Sequence, residues 1–516
     1  MNRSINRRDF LKLAGLASLG MVIPPSINHI GNTAQGNKKN VLIIVFDAMS
    51  AYNLSLYGYD RETTPNLARL SKRATVFHNH FAGGNFTTPG TASILTGSLP
   101  WTHRAIRFGG MVKPEYANKS IFHAFNDYYR IAYSHNSLVD TLFYQFTKAI
   151  NERVPLEELF LSNDGLIREV FKNDEDIATL GWGRAIKRPD GYSYSVFLSQ
   201  LYEKYTTNRM KEIAKLYPYG LPHINYDNYF VLDQGIDALG DRVLELPKPF
   251  LGYFHFLPPH SPYKPHKDFA GTFSTDSYKP LAKPEDPFTE EKDFEFLRKA
   301  RSQYDEFVLN VDHEFGRLFE KLEAAGVLED TWLVFTSDHG EFFERGIWGH
   351  STGALYQPVV RVPLMIFEPG VQTGRDVHTT TSAIDLMPTL LHLTGHEIPA
   401  SVEGTILPPY ASTPTPEENK GAFTIQARFN EATYPLTQTS IMHVRDNYKM
   451  IYYLGYEELD GDQERFYLYD IEADPQELNE LSQVKPETAA EMLNIIKTRL
   501  AKSNKPYLYK RTARFL

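Results

Sequence analysis

The chain contains no cysteine in its 516 residues. Disulfides, thiolate metal sites and cysteine nucleophiles are therefore excluded, and the redox compartment is left unmarked. Positive charge is not in excess either. Lys and Arg number 54 against 63 Asp and Glu, a formal net charge of −9, so the basic footprint that accompanies nucleic-acid binding is missing. No apolar run reaches the ~20 residues of a membrane-spanning helix. No internal repeat and no coiled-coil heptad is found. What is there is an ordinary globular composition, 42% hydrophobic and 23% charged. At this length a large α/β domain with a smaller companion is the expectation.

Asn6-Arg7-Arg8-Asp9-Phe10-Leu11-Lys12 precedes a short, interrupted apolar run, Leu13–Pro25. This resembles a twin-arginine export signal, which implies the twin-arginine translocase as a partner and a periplasmic or extracellular location in a bacterium. With no cysteine after the run, a lipoprotein anchor is excluded. The alternative is an amphipathic N-terminal helix. Cleavage is placed between Pro25 and Gly36, which divides the chain into a signal at 1–36, a large domain at 37–400 and a C-terminal subdomain at 401–516. The second boundary follows the Pro- and Ser/Thr-rich stretch Ala400–Glu418.

Val41–Phe46, V-L-I-I-V-F, is the kind of continuous apolar run that forms a buried strand of a parallel sheet, and it ends at Asp47. Ligands of open α/β sheets bind beyond the carboxyl ends of strands, so an acid at that point is placed for chemistry. Thr64-Pro65 opens a helix with Leu67 and Leu70 on one face, N-capped by Thr63 or Thr64. Arg130–Ser134, Phe250–Phe256, Trp332–Thr336 and Val362–Phe367 read as further strands, the third running into Ser337-Asp338-His339-Gly340. Glu290–Ala325 is a long amphipathic helix, with Tyr304, Val308, Val311, Phe315, Leu318 and Leu322 at spacings of three and four and Gly326 as its C-cap. Asp385–Leu393 is a helix closed by Gly395. Between 140 and 245 the chain is rich in Tyr, Asn and Asp without clean periodicity, and is taken as an insertion bordering the substrate. The C-terminal part alternates strands (Tyr448–Tyr453, Arg465–Tyr469) with a closing helix, Pro486–Lys502.

Asn85–Gly97 reads N-F-T-T-P-G-T-A-S-I-L-T-G. Pro89 is tolerated in a first helical turn, so a helix begins here, with the hydroxyl of Thr87 or Thr88 at its anion-attracting end. Such a hydroxyl is a candidate nucleophile for phosphoryl or sulfuryl transfer once a metal or base lowers its pKa. The bland alternative is a threonine N-cap. Asp47 and Asp338, with His339 beside the second, are a candidate metal set. Carboxylate and imidazole together suit Zn²⁺, Mn²⁺ or, with more oxygen ligands, Ca²⁺.

These pieces stand in a recognisable order: V-L-I-I-V-F-D, L-Y-G-Y-D-R-E-T-T-P-N-L-A-R-L, T-T-P-G-T-A-S-I-L-T-G, P-P-H-S-P-Y, T-S-D-H-G-E, R-V-P-L-M-I-F, S-A-I-D-L-M-P-T-L and L-Y-D-I-E-A-D-P-Q-E. In that order they resemble the sulfatase family of the alkaline phosphatase superfamily, over most of residues 40–480. The resemblance implies an α/β fold with a mixed central sheet of the ten-strand type, flanked by helices, and a small C-terminal α+β subdomain. It implies a metal held by Asp47, Asp338 and His339, with the nucleophile, counted back from Leu-Thr-Gly, at Thr87 completing the set. The family's substrate-facing histidine in Pro-His-x-Pro falls on His260. His350, in G-I-W-G-H, resembles a histidine of the phosphoethanolamine-transferase branch that contacts substrate or a second metal. His103 sits where relatives often carry a His-Gly near the site.

The departures from the family are specific. Typical sulfatases carry Cys or Ser at the nucleophile, oxidised to formylglycine and followed by Pro-Ser-Arg. This chain reads Thr87-Thr88-Pro89-Gly90-Thr91, and a threonine's secondary alcohol would give a ketone rather than an aldehyde. Thr91 replaces the supporting arginine, Ala48 the second metal-binding aspartate, and the Gly-Lys-x-His segment has no counterpart after Tyr133. Threonine nucleophiles are the habit of phosphodiesterase, phosphonate-ester hydrolase and phosphoethanolamine- or glycerophosphate-transferase relatives. The implied activity is an exported metal-dependent hydrolase, or phosphotransferase, of small-molecule, lipid or saccharide esters of phosphate or phosphonate. Metal-activated Thr87 attacks in line and gives a phosphothreonine taken by water or an alcohol, with His260 and His350 protonating the leaving group or binding non-bridging oxygens. The alternatives are a sulfuric ester hydrolase and a binding protein with a decayed site, the latter motivated by Ala48, Ser50 and Tyr52.

Overall fold

A computed structural model describes residues 38–161, 193–224, 228–413 and 421–510. The export signal read at 1–36, and residues 162–192 of the segment read as an insertion, lie outside the described residues. From Lys39 onward the chain forms one compact unit.

The apolar run at 41–46 folds as β1 (Asn40–Phe46), buried along its whole length. Its alternation is one of destination rather than polarity. Leu42, Ile44 and Phe46 enter one hydrophobic layer, and Val41, Ile43 and Val45 enter another on the opposite face. Around it lie β2 (Thr75–Phe77), β3 (Tyr129–Ser134), β4 (Glu152–Arg153), β5 (Phe250–Phe256), β6 (Thr331–Thr336), β7 (Leu364–Phe367) and β8 (Arg375–Val377). The sheet order is β8-β2-β7-β6-β1-β5-β3-β4. β7 is antiparallel to both neighbours and every other pair is parallel. This is the mixed central sheet implied by the resemblance, with eight strands among the described residues rather than ten.

Helices cover both faces. α1 (Pro65–Leu70), α3 (Leu232–Glu245) and α4 (Phe294–Ala324) pack on the Leu42 face. α2 (Thr87–Thr96) and α5 (Leu386–Leu393) pack on the Val41 face. α3 corrects the reading of 140–245 as an insertion: Leu232, Ile236, Leu239 and Val243 recur at helical spacing and belong to the core. α4 starts at Phe294 rather than Glu290 because Asp293 caps it, accepting from Phe296 N–H at 2.8 Å. Its C-cap residue is Ala325. Gly326 follows in the left-handed region (φ 69°) and donates to Glu323 O, so the glycine sits one place beyond the cap.

Neither Thr63 nor Thr64 caps α1 through its side chain. Thr63 Oγ1 donates to Asn53 O and Thr64 Oγ1 accepts from Leu56 N–H. The cap comes from α4: Asp312 accepts from Asn66 N–H (2.8 Å), Leu67 N–H (2.7 Å) and Asn66 Nδ2 (2.9 Å). Asp312→Ala removes these bonds and is expected to lower stability by about 2–3 kcal/mol, read as a lower unfolding midpoint with activity per folded molecule unchanged.

A four-stranded antiparallel sheet, β9 (Ala422–Gln426), β10 (Thr439–Arg445), β11 (Tyr448–Leu454) and β12 (Glu464–Asp470), forms the smaller subdomain. α6 (Pro486–Asn504) covers one face through Met492, Ile496 and Leu500. The other face packs on Phe342, Leu355 and Val359. β9 lies against the segment leading into α2: Ile425 N–H donates to Gly83 O (2.9 Å) and Thr424 Oγ1 to Ala82 O (2.5 Å).

Asp385, in the S-A-I-D-L motif, fastens the start of α5 to the segment that follows the helix by accepting from Ser382 N–H (2.8 Å) and Thr405 N–H (2.7 Å). Burial outweighs those bonds and pushes its carboxyl up to about 6. The unfolded chain releases this proton near pH 4, so between about pH 4 and 6 the folded state holds a proton the unfolded state has lost. Stability present below that window is lost as pH rises through it. The wild type is expected to lose on the order of 2 kcal/mol relative to Asp385→Asn between pH 4 and 7, measured by chemical denaturation across that range.

Candidate active site and metal centre

Four parallel neighbours, β6, β1, β5 and β3, end at the same edge of the sheet, and each brings a polar side chain there. Asp47 follows β1, Asp338 and His339 follow β6, Asn136 follows β3, and His255 is the penultimate residue of β5. Asp47, Asp338 and His339 are fully buried, and one ligand atom from each lies within 4.8 Å of the others. His339 Nδ1 donates to Gly340 O (2.9 Å), so Nε2 is aimed at the carboxylates, 3.3 Å from Asp47 Oδ1 and 3.7 Å from Asp338 Oδ2.

Burial pushes the Asp47 carboxyl up, but hydrogen bonds from His255 and His339 prevail and hold it well below the usual carboxylate range. At Asp338 burial and the neighbouring Asp47 charge win, and its carboxyl is raised. Burial pushes the His339 imidazole down, yet Asp338 and Asp47 lift it to about 9. Enclosed negative charge of this kind is what a divalent cation neutralises. Asp47 Oδ1 is buried with no partner but the long 3.3 Å contact to His339 Nε2, and two carboxylates with one imidazole form a donor set of hard and borderline atoms. These residues suit a divalent metal.

α2 begins at Thr87, with Phe86 as its N-cap residue and no capping side chain, so the bland reading of a threonine cap does not hold. Thr87 Oγ1 lies 3.4 Å from His339 Nε2 and accepts from Asn136 Nδ2 at 3.3 Å. Thr88 Oγ1 is engaged elsewhere, accepting from Gly109 N–H. The helix can approach this closely because residue 90 is glycine: a Cβ there would stand 2.3 Å from Asp338 O. One turn on, Thr91 Oγ1 donates to Asp338 Oδ2 (3.3 Å), so the residue in the place of the family's arginine steadies a carboxylate. Ala48 has a left-handed backbone (φ 60°), a strain of about 1–2 kcal/mol for a residue with a Cβ. Tyr304 clamps that turn, its hydroxyl donating to Ala48 O (2.7 Å) and accepting from Ser50 N–H (2.8 Å).

The histidines named from sequence divide into two groups. His350 Nδ1 donates to Glu341 Oε1 (2.8 Å), and its ring centroid lies 4.4 Å from that of His339 and 4.8 Å from that of His260. Burial, with the charge of His339, holds His350 well below the ordinary imidazole value, and burial lowers His260 as well. His103 stands apart. Its Nδ1 accepts from Ala105 N–H (3.0 Å) and its Nε2 donates to Ser93 Oγ (3.2 Å), while burial lowers it to about 3. It is a neutral brace on α2.

Sequence reasoning missed Asn136, His255 and Glu341. Asn136 Nδ2 donates to Asp47 Oδ2 (2.6 Å) and thereby links that acid to Thr87. Locally it reads as an ordinary helix cap, which it also is, accepting from Leu138 N–H. His255 Nε2 lies 3.3 Å from Asp47 Oδ2, and its signal was a single polar residue interrupting F-L-G-Y-F-H-F. Glu341 lies in the quoted T-S-D-H-G-E motif, but its link to His350 is not readable from spacing.

Residues 39–396 match the profile described as Sulfatase, and residues 346–506 match that of N-sulphoglucosamine sulphohydrolase, C-terminal. The chain is 25% identical to choline-sulfatase of Rhizobium meliloti over 471 residues, 86% of this chain and 83% of that protein. It is 30% identical to arylsulfatase K of Xenopus laevis over 210 residues, 40% of this chain and 37% of that protein. Among solved structures, phosphonate monoester hydrolase of Agrobacterium radiobacter has the same fold, with a TM-score of 0.62 at 20% identity, covering 89% of this chain and 96% of that one. With the Sulfatase profile extending over well more than half of it and an Asp/His cluster able to hold a metal at the strand ends, the chain belongs to the sulfatase family of the alkaline phosphatase superfamily, a family of ester hydrolases.

Proposed function

We propose that this protein hydrolyses phosphate mono- or diesters or phosphonate esters through a covalent intermediate on Thr87. The observation that carries this reading is the position of Thr87 Oγ1, on the first residue of α2 and 3.4 Å from His339 Nε2, in a chain without cysteine. Asp47, Asp338, His339 and the Thr87 hydroxyl would hold a divalent cation, Zn²⁺ or Mn²⁺ with Ca²⁺ as the alternative, which supplies charge neutralisation at the ester and a lower pKa for the hydroxyl.

Thr87 Oγ attacks phosphorus in line, forming the O–P bond as the bond to the leaving oxygen breaks. The proton released by Thr87 matches the one the leaving alcohol takes up. A water molecule then cleaves the threonine ester of that phosphoryl or phosphonyl group, adding its OH to phosphorus and its proton to Thr87 Oγ, which releases phosphate, a phosphate monoester or a phosphonate according to the substrate. Asn136 orients Asp47 and Thr87 together. His350, with Nδ1 committed to Glu341, presents Nε2 as the proton carrier, and His260 beside it contacts the ester oxygens. His350→Ala is expected to lower kcat by about 10²-fold or more for alkyl esters, which need a protonated leaving group, and far less for 4-nitrophenyl esters.

A sulfuric ester hydrolase is the second reading, favoured by the named sulfatases among the relatives. A panel of 4-nitrophenyl phosphate, bis-phosphate, phosphonate and sulfate esters, with and without chelator, separates them. Turnover of the sulfate ester alone overturns the first reading. The substrate is a small-molecule, lipid or saccharide ester. Residues 1–36 act as a twin-arginine signal, so that reaction takes place in the periplasm or outside the cell. Among the described residues no helix is long and apolar enough to cross a membrane.

A further inference from the structure

Arg428 departs from the way buried arginines are paired elsewhere in this fold. Arg61 meets Asp276 and Asp305, and Arg301 meets Glu344 and the Phe343 carbonyl. Arg428 is half-buried, and its enclosed Nε lacks a partner, as do those of Arg73, Arg104, Arg301 and Arg345. Those four pair through their Nη atoms, whereas the Arg428 guanidinium makes no ion pair and no hydrogen bond with any described residue. Buried donors of this kind are normally satisfied, so an unpaired guanidinium points to an acceptor from outside the chain. Burial pushes its pKa down without any acid strong enough to reverse the shift.

Its surroundings say what that acceptor is attached to. The guanidinium carbon lies 4.6 Å from the centroid of the Phe429 ring and 5.8 Å from that of Phe108. Both rings are 55% exposed, an unusual display for phenylalanine. Phe108 in turn packs on Phe86, the residue before Thr87, with centroids 5.0 Å apart. The placement is built into the fold. β9 is hydrogen-bonded to Ala82 and Gly83, which sets the residues after it alongside the segment leading into Thr87, near enough that, after burial and the His339 charge, the Arg428 charge also lowers the His350 imidazole. Arg107 pairs with Glu431 (2.5 Å), and Arg104 donates to Tyr434 O (3.0 Å), fastening the Phe108 loop to the Phe429 loop.

Thr87 is buried, whereas Arg428 is half-buried beside Phe108, which separates it through Phe86 from the Thr87 hydroxyl. We infer that Arg428 sets the specificity of this site by binding a second negative charge on the substrate, carried by a ring that lies between Phe108 and Phe429. The substrate class is an ester of an acidic ring compound, either an arene carboxylate or an acidic or multiply esterified sugar. This rests on the reading that the Thr87 pocket cleaves an ester.

The test uses the full chain and pairs of esters that differ by one charge: a 4-nitrophenyl ester against its carboxylated 4-nitrophenyl counterpart, and a monosaccharide ester against its uronate counterpart. The arm that responds tells arene from sugar. Arg428→Ala is expected to raise KM for the charged member about tenfold with kcat nearly unchanged, and to leave the uncharged member within about twofold; Arg428→Lys recovers part of the loss. The preference weakens at high salt. Arg298→Ala, an exposed arginine on α4, leaves both esters unchanged. An equal effect on both members of a pair, or no effect on either, overturns the inference. If the wild type cleaves no ester, the functional reading fails, and calorimetric binding of a sulfated disaccharide then decides this one: binding lost in Arg428→Ala supports it, and no binding by the wild type overturns it.

Discussion

Thr87→Ala is expected to lower kcat by about three orders of magnitude or more on whichever 4-nitrophenyl ester the wild type cleaves, because no neighbouring hydroxyl can take its place. Thr91 Oγ1 is engaged with Asp338 and Thr88 Oγ1 with Gly109. The loss is chemical rather than structural: Thr87 caps nothing, since Phe86 is the N-cap residue, and truncation to alanine suits the first turn of a helix. Thr87→Ser keeps the attacking oxygen and should stay within about tenfold of wild type. Thr88→Ala removes one hydrogen bond to Gly109 and should stay within a few-fold in kcat, at a stability cost of about 1 kcal/mol. Intact-protein mass spectrometry of quenched reactions should find the transferred group on Thr87. An adduct elsewhere, or a dead Thr88→Ala beside an active Thr87→Ala, would mean that the wrong hydroxyl has been assigned.

The second large effect concerns Asp338 and has opposite signs in two states. Chelator-stripped wild type should lose activity and unfold at a lower temperature, and excess Zn²⁺ or Mn²⁺ should restore both, worth about 4 kcal/mol at a thousandfold excess over Kd. Asp338→Asn keeps the shape of the side chain but removes one anionic ligand, and should weaken metal binding by about 10²-fold or more with activity falling in step. In the absence of metal the same variant should be more stable than wild type. Asp338 is buried beside Asp47, and burial together with that like charge raises its carboxyl. Thermal unfolding of both proteins, with and without metal, reads the crossing directly. A variant less stable than wild type in both states would show that the two carboxylates are not opposed.

Much of the site was legible from sequence, and the reason is local. β1, β5 and β6 are buried on both faces, so their apolar runs mark themselves without knowledge of their partners. An acid or an Asp-His pair at the end of such a run is conspicuous, which is how Asp47, Asp338 and His339 were found. The long helix α4 was equally plain because its periodicity is carried by its own residues. The errors lie where a partner is distant. Thr63 and Thr64 looked like the cap of α1, but Asp312, some 245 residues away, supplies it. The core helix α3 was lost in a segment whose composition resembled a loop.

By itself the sequence determined the strand ends, the residue types that can hold a metal, and a helix whose first turn carries two threonines. The count back from Leu-Thr-Gly in the family resemblance singled out Thr87, whose hydroxyl lies beside His339, but only the tertiary structure decided that Asn136 and His255 reach the same point. The reason is parallel pairing: β6, β1, β5 and β3 lie side by side with their carboxyl ends on one edge, so residues more than 200 positions apart become neighbours. The pairing of β9 with Ala82 and Gly83 likewise brings Arg428 to Phe108 and so to Phe86 beside Thr87, and nothing in its own stretch of chain foretells that.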